Sequence, residues 1–265
     1  MIMRTTVAPT VALVTDAASP VGRAIALALA QQGWRLALHY QDDSAPAALL
    51  ALLQECQALG TEAVAIQCNL SKETEIHQLL PRVAQEFGGI GGVGCIVNNA
   101  SHVEPDSALD FSAAGLERHL QSNLTAPILL TQALYAATLK SEGAQAVVIN
   151  LLDQKLFNPQ ADFLSYTLSK AALHSATALL AKAYAPQLRV VGIAPSLAAS
   201  LQTSMATADP QPTLPAALDD IAAAVCFAAS SSAITGSTLV VDGGQHLYPH
   251  PRDQLAVHGQ SSQSH

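Results

Sequence analysis

Charge is what this chain of 265 residues has least of: Asp, Glu, Lys and Arg make up 12% of it, against about 25% in an average soluble protein. Only 12 residues are Lys or Arg, set against 20 Asp and Glu for a net charge of −8. Scattered basic residues in an acidic chain cannot neutralise a phosphate backbone, so nucleic acid is excluded as a partner. Long apolar runs are also missing. The richest segment, 127–139, is broken by Thr131 and Gln132, which excludes a membrane-spanning helix. The first nine residues hold one Arg and no apolar stretch leading to a small-residue cleavage site, so no secretory signal is read and a cytoplasmic location is expected. Cys56, Cys68, Cys95 and Cys226 lie far apart, a spacing that supports neither zinc nor a disulfide framework; they read as small buried apolar residues. The histidines lack metal-ligand spacing, and no metal is expected. Aromatic residues are scarce at 4%.

What the chain has instead is apolar surface, with 50% hydrophobic residues, enough for helices buried on several sides or for a subunit interface. Short β-branched runs at 11–15, 35–40, 62–67, 94–98, 146–151, 189–193 and 238–241 predict seven strands. Helical patterns fall between them at 21–32, 46–59, 72–87, 113–139, 163–184 and 216–229. Alternation of this kind predicts right-handed crossovers and a mainly parallel sheet. Consecutive apolar positions, as in Val11-Ala12-Leu13-Val14, fit a sheet covered on both faces. The expected fold is a single-domain, Rossmann-type doubly wound α/β sheet over 1–247, followed by a tail, 248–265. The Ser/Thr/Pro-rich segment 197–214 after the sixth strand is positioned to form a lid.

The first strand runs into Thr15-Asp16-Ala17-Ala18-Ser19-Pro20-Val21-Gly22 and then directly into a helix, the placement of a dinucleotide site. Further along come Asn98-Asn99-Ala100-Ser101, Asn123, Tyr166 with Lys170, Pro195-Ser196 and Val241-Asp242-Gly243-Gly244. In order and separation these motifs resemble those of the short-chain dehydrogenase/reductase family from about residue 11 to 247. Asp153 stands where that family usually has serine. Together with His39-Tyr40, Asn99-Ala100-Ser101 and Ala194-Pro195-Ser196-Leu197, it resembles the pteridine reductase branch, including the dihydromonapterin reductases.

Tyr166 and Lys170 are one helical turn apart and project from one face. An ammonium beside a phenol favours phenolate, so Lys170 is expected to lower the pKa of Tyr166 and let it exchange a proton with substrate. The resemblance implies that Lys170 also holds the nicotinamide ribose and that Asn123 supports a water leading to it. Asp153 suits a substrate with ring nitrogens or N–H donors, as in a pterin. The resemblance further implies an NAD or NADP cofactor held by Val21, Gly22, His39, Tyr40, Asn69, Leu70, Asn99, Ala100, Ser101, Tyr166, Lys170, Pro195 and Ser196. It also implies a small-molecule substrate and a homotetramer, with part of the tail at 248–258 crossing to a neighbouring subunit.

Several residues depart from the pattern. Asp16 and Pro20 replace two glycines of the first turn. The Asp16 carboxylate is expected either to occupy the helix N–H groups that would receive pyrophosphate, weakening cofactor binding, or to face solvent or pair with Arg23. Asp42 and Asp43 lie where a 2′-phosphate would sit and, unless Arg23 or Arg35 compensates, tilt selectivity toward NADH; Tyr40 leaves the preference open. After Ser101 comes His102-Val103 rather than an aromatic, leaving His102 or Phe157 to stack on a pterin. The expected activity is hydride transfer to a C=N or C=O bond, including that of a dihydropterin. Its rivals are a carbonyl reductase of another substrate and a non-catalytic relative with a decayed nucleotide site.

Overall fold

The computed structural model describes residues 10–42, 46–87, 92–140, 144–159, 162–196 and 217–248. In chain order the elements are β1 (Val11–Val14), α1 (Pro20–Gln31), β2 (Arg35–Tyr40), α2 (Pro46–Ala58), β3 (Ala63–Gln67), α3 (Glu73–Glu86) and β4 (Val93–Asn98). They continue with α4 (Ala113–Leu120), α5 (Ala126–Thr138), β5 (Ala146–Leu151), α6 (Leu164–Tyr184), β6 (Leu188–Pro195), α7 (Leu218–Ser230) and β7 (Thr238–Val241). The seven strands form one sheet in the order β3-β2-β1-β4-β5-β6-β7, and every pairing is parallel. Strand order reverses between β1 and β4, and a ligand cleft is expected beyond the carboxyl ends of those strands.

Two apolar layers cover the sheet. Ala12 and Val14 of β1 pack with α1, α2 and α7 on one face, and Val11 and Leu13 pack with α3, α5 and α6 on the other. Successive side chains of a strand point to opposite faces, so a strand buried on both sides is apolar at every position. All four cysteines are buried and reduced within these layers. No described helix is long and apolar enough to cross a membrane.

The expected helix at 113–139 is divided. A π-helical turn, Gln121–Thr125, separates α4 from α5. Pro127 accounts for the break, because it lacks the N–H that the carbonyl of Asn123 would receive in an α-helix, and the ladder slips to the wider spacing seen in Ala126 N–H donating to Gln121 O. Asp43, the segment 197–214 and the tail beyond Tyr248 lie outside the described residues.

Candidate active site

The turn after β1 is tied to the end of β4 by Thr15. Its Oγ1 accepts N–H groups of Asn99 and Ala100, each at 2.9 Å, and donates to Val97 O at 3.3 Å. Asp16 then takes a left-handed conformation, φ 50°, which glycine adopts freely and Asp more readily than most residues. Its N–H donates to His39 Nδ1 at 3.1 Å, and its carbonyl accepts from Ser19 Oγ at 2.8 Å and Asn99 Nδ2 at 3.0 Å. Ser19 caps α1 by accepting Gly22 N–H, and Pro20 opens the helix. Gly22 is required by space: a Cβ there would lie 2.3 Å from the Asp16 carbonyl oxygen.

These contacts correct two expectations. Ser19, not the Asp16 carboxylate, caps the helix, and Arg23 pairs with Glu55 rather than with Asp16. Partial burial raises the Asp16 pKa, the Ser19 hydroxyl lowers it and the charge of Asp42 raises it again, for a net rise.

Two chambers open along the cleft. One, of about 870 Å³ of solvent-open space, lies between Asp16, Tyr40, Asp42 and the α2 leucines Leu49, Leu50 and Leu53. His39 does not face it. The ring is buried, with Nδ1 accepting from Asp16 and Nε2 donating to Cys68 O at 2.9 Å. Burial holds its pKa down at about 4, so the ring is a neutral brace between β1, β2 and β3 and does not line the chamber. Leu70 is also withdrawn into the core, and Asn69 spends its Oδ1 on Ser71 N–H and its own N–H on Glu75. Arg35 starts β2 while Tyr40 ends it, ~17 Å along the strand, and Arg35 contacts Glu62 and the Phe87 ring. Arg23 is thus held by Glu55, and Arg35 pairs with Glu62.

The second, with about 810 Å³ of solvent-open space, lies between Asp16, Ser19, Pro20, Val21, Asn99 and Ser101 on one side and Tyr166, Lys170, Pro195 and Ser196 on the other. Tyr166 and Lys170 are each 2% exposed, Asp153 1% and Asn123 0%. Tyr166 OH donates to Asp153 Oδ2 at 2.8 Å. Lys170 Nζ donates to Leu151 O at 2.7 Å and stands 5.8 Å from the centre of the Tyr166 ring.

The phenol is thus not made acidic as expected. Burial first, then the charge of Asp153 and the hydrogen bond to it, push the Tyr166 pKa well up, with Ser101 opposing. Burial lowers Lys170 to about 8, against the charge of Asp153, and raises Asp153 in spite of its contacts with Lys155, Tyr166 and Lys170. Tyr166 holds its proton and hydrogen-bonds the Asp153 carboxyl group.

Asn123 does not reach the cleft. Its Nδ2 donates to His102 O and Ser169 Oγ, both at 2.9 Å, and its Oδ1 accepts His102 N–H at 2.7 Å. It fixes the backbone beside Ser101. The His102 ring turns away to lie 4.7 Å from that of His119, and Phe157 packs edge-on against His174 and His246. Neither lines the chamber, whose wall is Val103, Leu151, Leu152 and Ile221. Ser196 does line it, with its hydroxyl donated to Gln245 Oε1 at 2.8 Å.

Sequence reasoning missed Asp106. Its carboxylate accepts the Ser165 N–H and hydroxyl, and its carbonyl accepts Leu164 N–H, fixing the first turn of α6 and so the position of Tyr166. An acid capping a helix from a distant loop leaves no local signal. Ile221 and Leu152 carry none either, being ordinary apolar positions of α7 and the end of β5.

A family model described as enoyl-(acyl carrier protein) reductase matches residues 17–246. A 3-oxoacyl-(acyl-carrier-protein) reductase of Synechocystis sp. is 31% identical over 90% of this chain and 97% of its own length. Among solved structures, FolM alternative dihydrofolate reductase 1 from Brucella suis, in complex with NADP, superposes with a TM-score of 0.77 at 29% identity, over 92% of this chain and 98% of that one. Acetoin dehydrogenase YohF from Salmonella typhimurium gives a TM-score of 0.79 at 25% identity, over 92% and 98%. With its seven parallel strands, its cleft at the strand-order reversal and Tyr166 and Lys170 on that cleft's floor, the chain belongs to the short-chain dehydrogenase/reductase family of NAD(P)-dependent oxidoreductases.

Proposed function

We propose that this reductase acts on a C=N bond in a nitrogen heterocycle of the dihydropterin class. The observation that carries this reading is the buried pair of Tyr166 OH and Asp153 Oδ2 at 2.8 Å. The two chambers meeting at Asp16 fit an extended dinucleotide, with Tyr40 beside the adenosine, the Val21 end of α1 near the diphosphate, and Lys170 near the ribose hydroxyls. Gly22 lets that turn close. Asn99, Ala100, Ser101, Pro195 and Ser196 border the nicotinamide. When bound, the cofactor supplies the hydride.

The residues handle the proton. Tyr166 turns its O–H from Asp153 to the substrate nitrogen as hydride reaches the adjacent carbon, so the C=N bond becomes H–C–N–H. Asp153, whose burial favours its protonated form, returns a proton to the phenolate and recovers its own from solvent. Asn123 is a positioning residue. The name of the Brucella suis relative, an alternative dihydrofolate reductase, supports the same substrate class.

A carbonyl substrate is the second reading, favoured by the apolar wall of Val103, Leu151, Leu152 and Ile221 and by the chamber's lack of a second aromatic ring among the described residues. NADH and NADPH oxidation with dihydropterins and with a panel of β-keto thioesters and ketones separates the two. Turnover of dihydropterin that is lost in Asp153→Asn supports the first reading; turnover of carbonyls alone, insensitive to Asp153→Asn, replaces it with the second. The resemblance to the family, with the exposed Leu179 of α6 and Phe227 of α7, supports a cytoplasmic homotetramer of 1–247 units bearing 248–265 as tails, which sedimentation checks.

A further inference from the structure

Among the described residues Asp16 alone borders both chambers, so it stands at the waist of the cleft. A dinucleotide with its nicotinamide beside Tyr166 and its adenosine beside Tyr40 places its diphosphate there. Few donors receive it. Pro20 has no N–H, Gly22 N–H is taken by Ser19 Oγ, and Ser19 N–H goes to the Asp16 carbonyl at 3.3 Å, which leaves Ala18 in the turn and Val21 at the head of α1. Asp42 adds a second carboxylate in the outer chamber.

We infer that Asp16 is a specificity-determining residue that sets dinucleotide affinity by charge: its carboxylate opposes the diphosphate, favours the cofactor without a 2′-phosphate, and relaxes its opposition when protonated. The inference rests on the NAD(P)H reading above. The neighbouring ionisable groups are few. Asp42 and His39 face it from β2 and the turn that follows. Lys170 and Tyr166, with Asp153 behind them, face it from across the inner chamber, while Arg23 of α1 is held by Glu55 of α2. His39 stays neutral down to about 4, and Lys170 loses its charge near about 8. The interval between those limits belongs to the carboxylates, and Asp16 is the one at the waist, its pKa above the ordinary carboxylate value.

Calorimetric titration of the intact protein with ADP-ribose, adenosine, NADH and NADPH, from about pH 8 to about pH 5, tests this without any reaction. ADP-ribose and NADH are expected to bind more tightly at the acid end, and adenosine equally at both. Asp16→Asn, which keeps the left-handed backbone, is expected to bind ADP-ribose about tenfold more tightly at the upper pH, to lose most of the slope and to narrow the NADH over NADPH preference. Asp16→Gly is expected to match it and stands in if the Asn variant folds poorly. Unchanged affinity and slope in either variant overturn the inference and leave the reductase reading intact. Failure of every dinucleotide to bind to any form removes both, and dinucleotide binding without turnover of any substrate removes the proposed substrate alone.

Discussion

Around Tyr166 the polar side chains are buried and bonded, Tyr166 to Asp153, Lys170 to Leu151 O and Asn123 to the His102 backbone; around Asp16 the cleft is open, and carboxylates face the space a ligand would take. The first region spends burial on holding protons in place, since a phenol and a carboxylate both kept from water titrate far from their ordinary ranges. The second keeps its carboxylates at the edge of open space, where a bound anion would feel them. Reactivity and affinity are thereby set by different residues about one chamber apart, and the two are expected to vary independently.

That separation breaks most visibly at Tyr166. Tyr166→Phe is expected to lower the rate of hydride transfer by about 10²–10⁴-fold while ADP-ribose affinity stays within about twofold, read by single-turnover kinetics beside calorimetry. An equal loss of both would merge the two regions into one. His39 lies beneath the waist and gives the next largest effect. It stays neutral in the fold down to about 4 but takes up a proton near 6.5 when unfolded, so the unfolded state binds the extra proton between those values. Stability is full above that window and falls by roughly 3 kcal/mol as pH drops through it, which denaturant titrations across the window measure and His39→Asn flattens. Gly22→Ala forces a methyl against the Asp16 carbonyl and is expected to cost about 1–3 kcal/mol of stability and to weaken ADP-ribose binding, with the Tyr166 site intact. Arg23→Ala, which removes an exposed pair with Glu55, is expected to cost less than about 1 kcal/mol and to leave nucleotide binding unchanged.

The sheet was legible because its signal is periodic and repeated: strands apolar on both faces and amphipathic helices place all seven strands with shifts of at most two residues, as for β6, Leu188–Pro195 against 189–193. Tyr166, Lys170 and Asp153 were legible as a group through their spacing and their resemblance to a family pattern. What spacing does not carry is the direction of a side chain. Tyr166 and Lys170 share a helix face, yet the ammonium reaches a carbonyl of β5 and the hydroxyl reaches a carboxylate, so the sign of the Tyr166 shift is set by burial and Asp153. His39 and Tyr40 are neighbours in sequence on opposite faces of β2, and alternation sends one into the core and the other into the cleft. The break at Asn123 had a local cause in Pro127, but a proline in the first turn of a helix is common and does not by itself announce a π-turn.

Asp106, three residues beyond Val103, ties the loop that walls the substrate chamber to the first turn of α6. Remodelling the wall and preserving the acid catalyst are consequently one engineering problem. A graft that replaces 101–105 with a flat aromatic platform for a heterocycle succeeds only if it returns the chain to Asp106 in register, because a slip of one residue there displaces the phenol together with the wall.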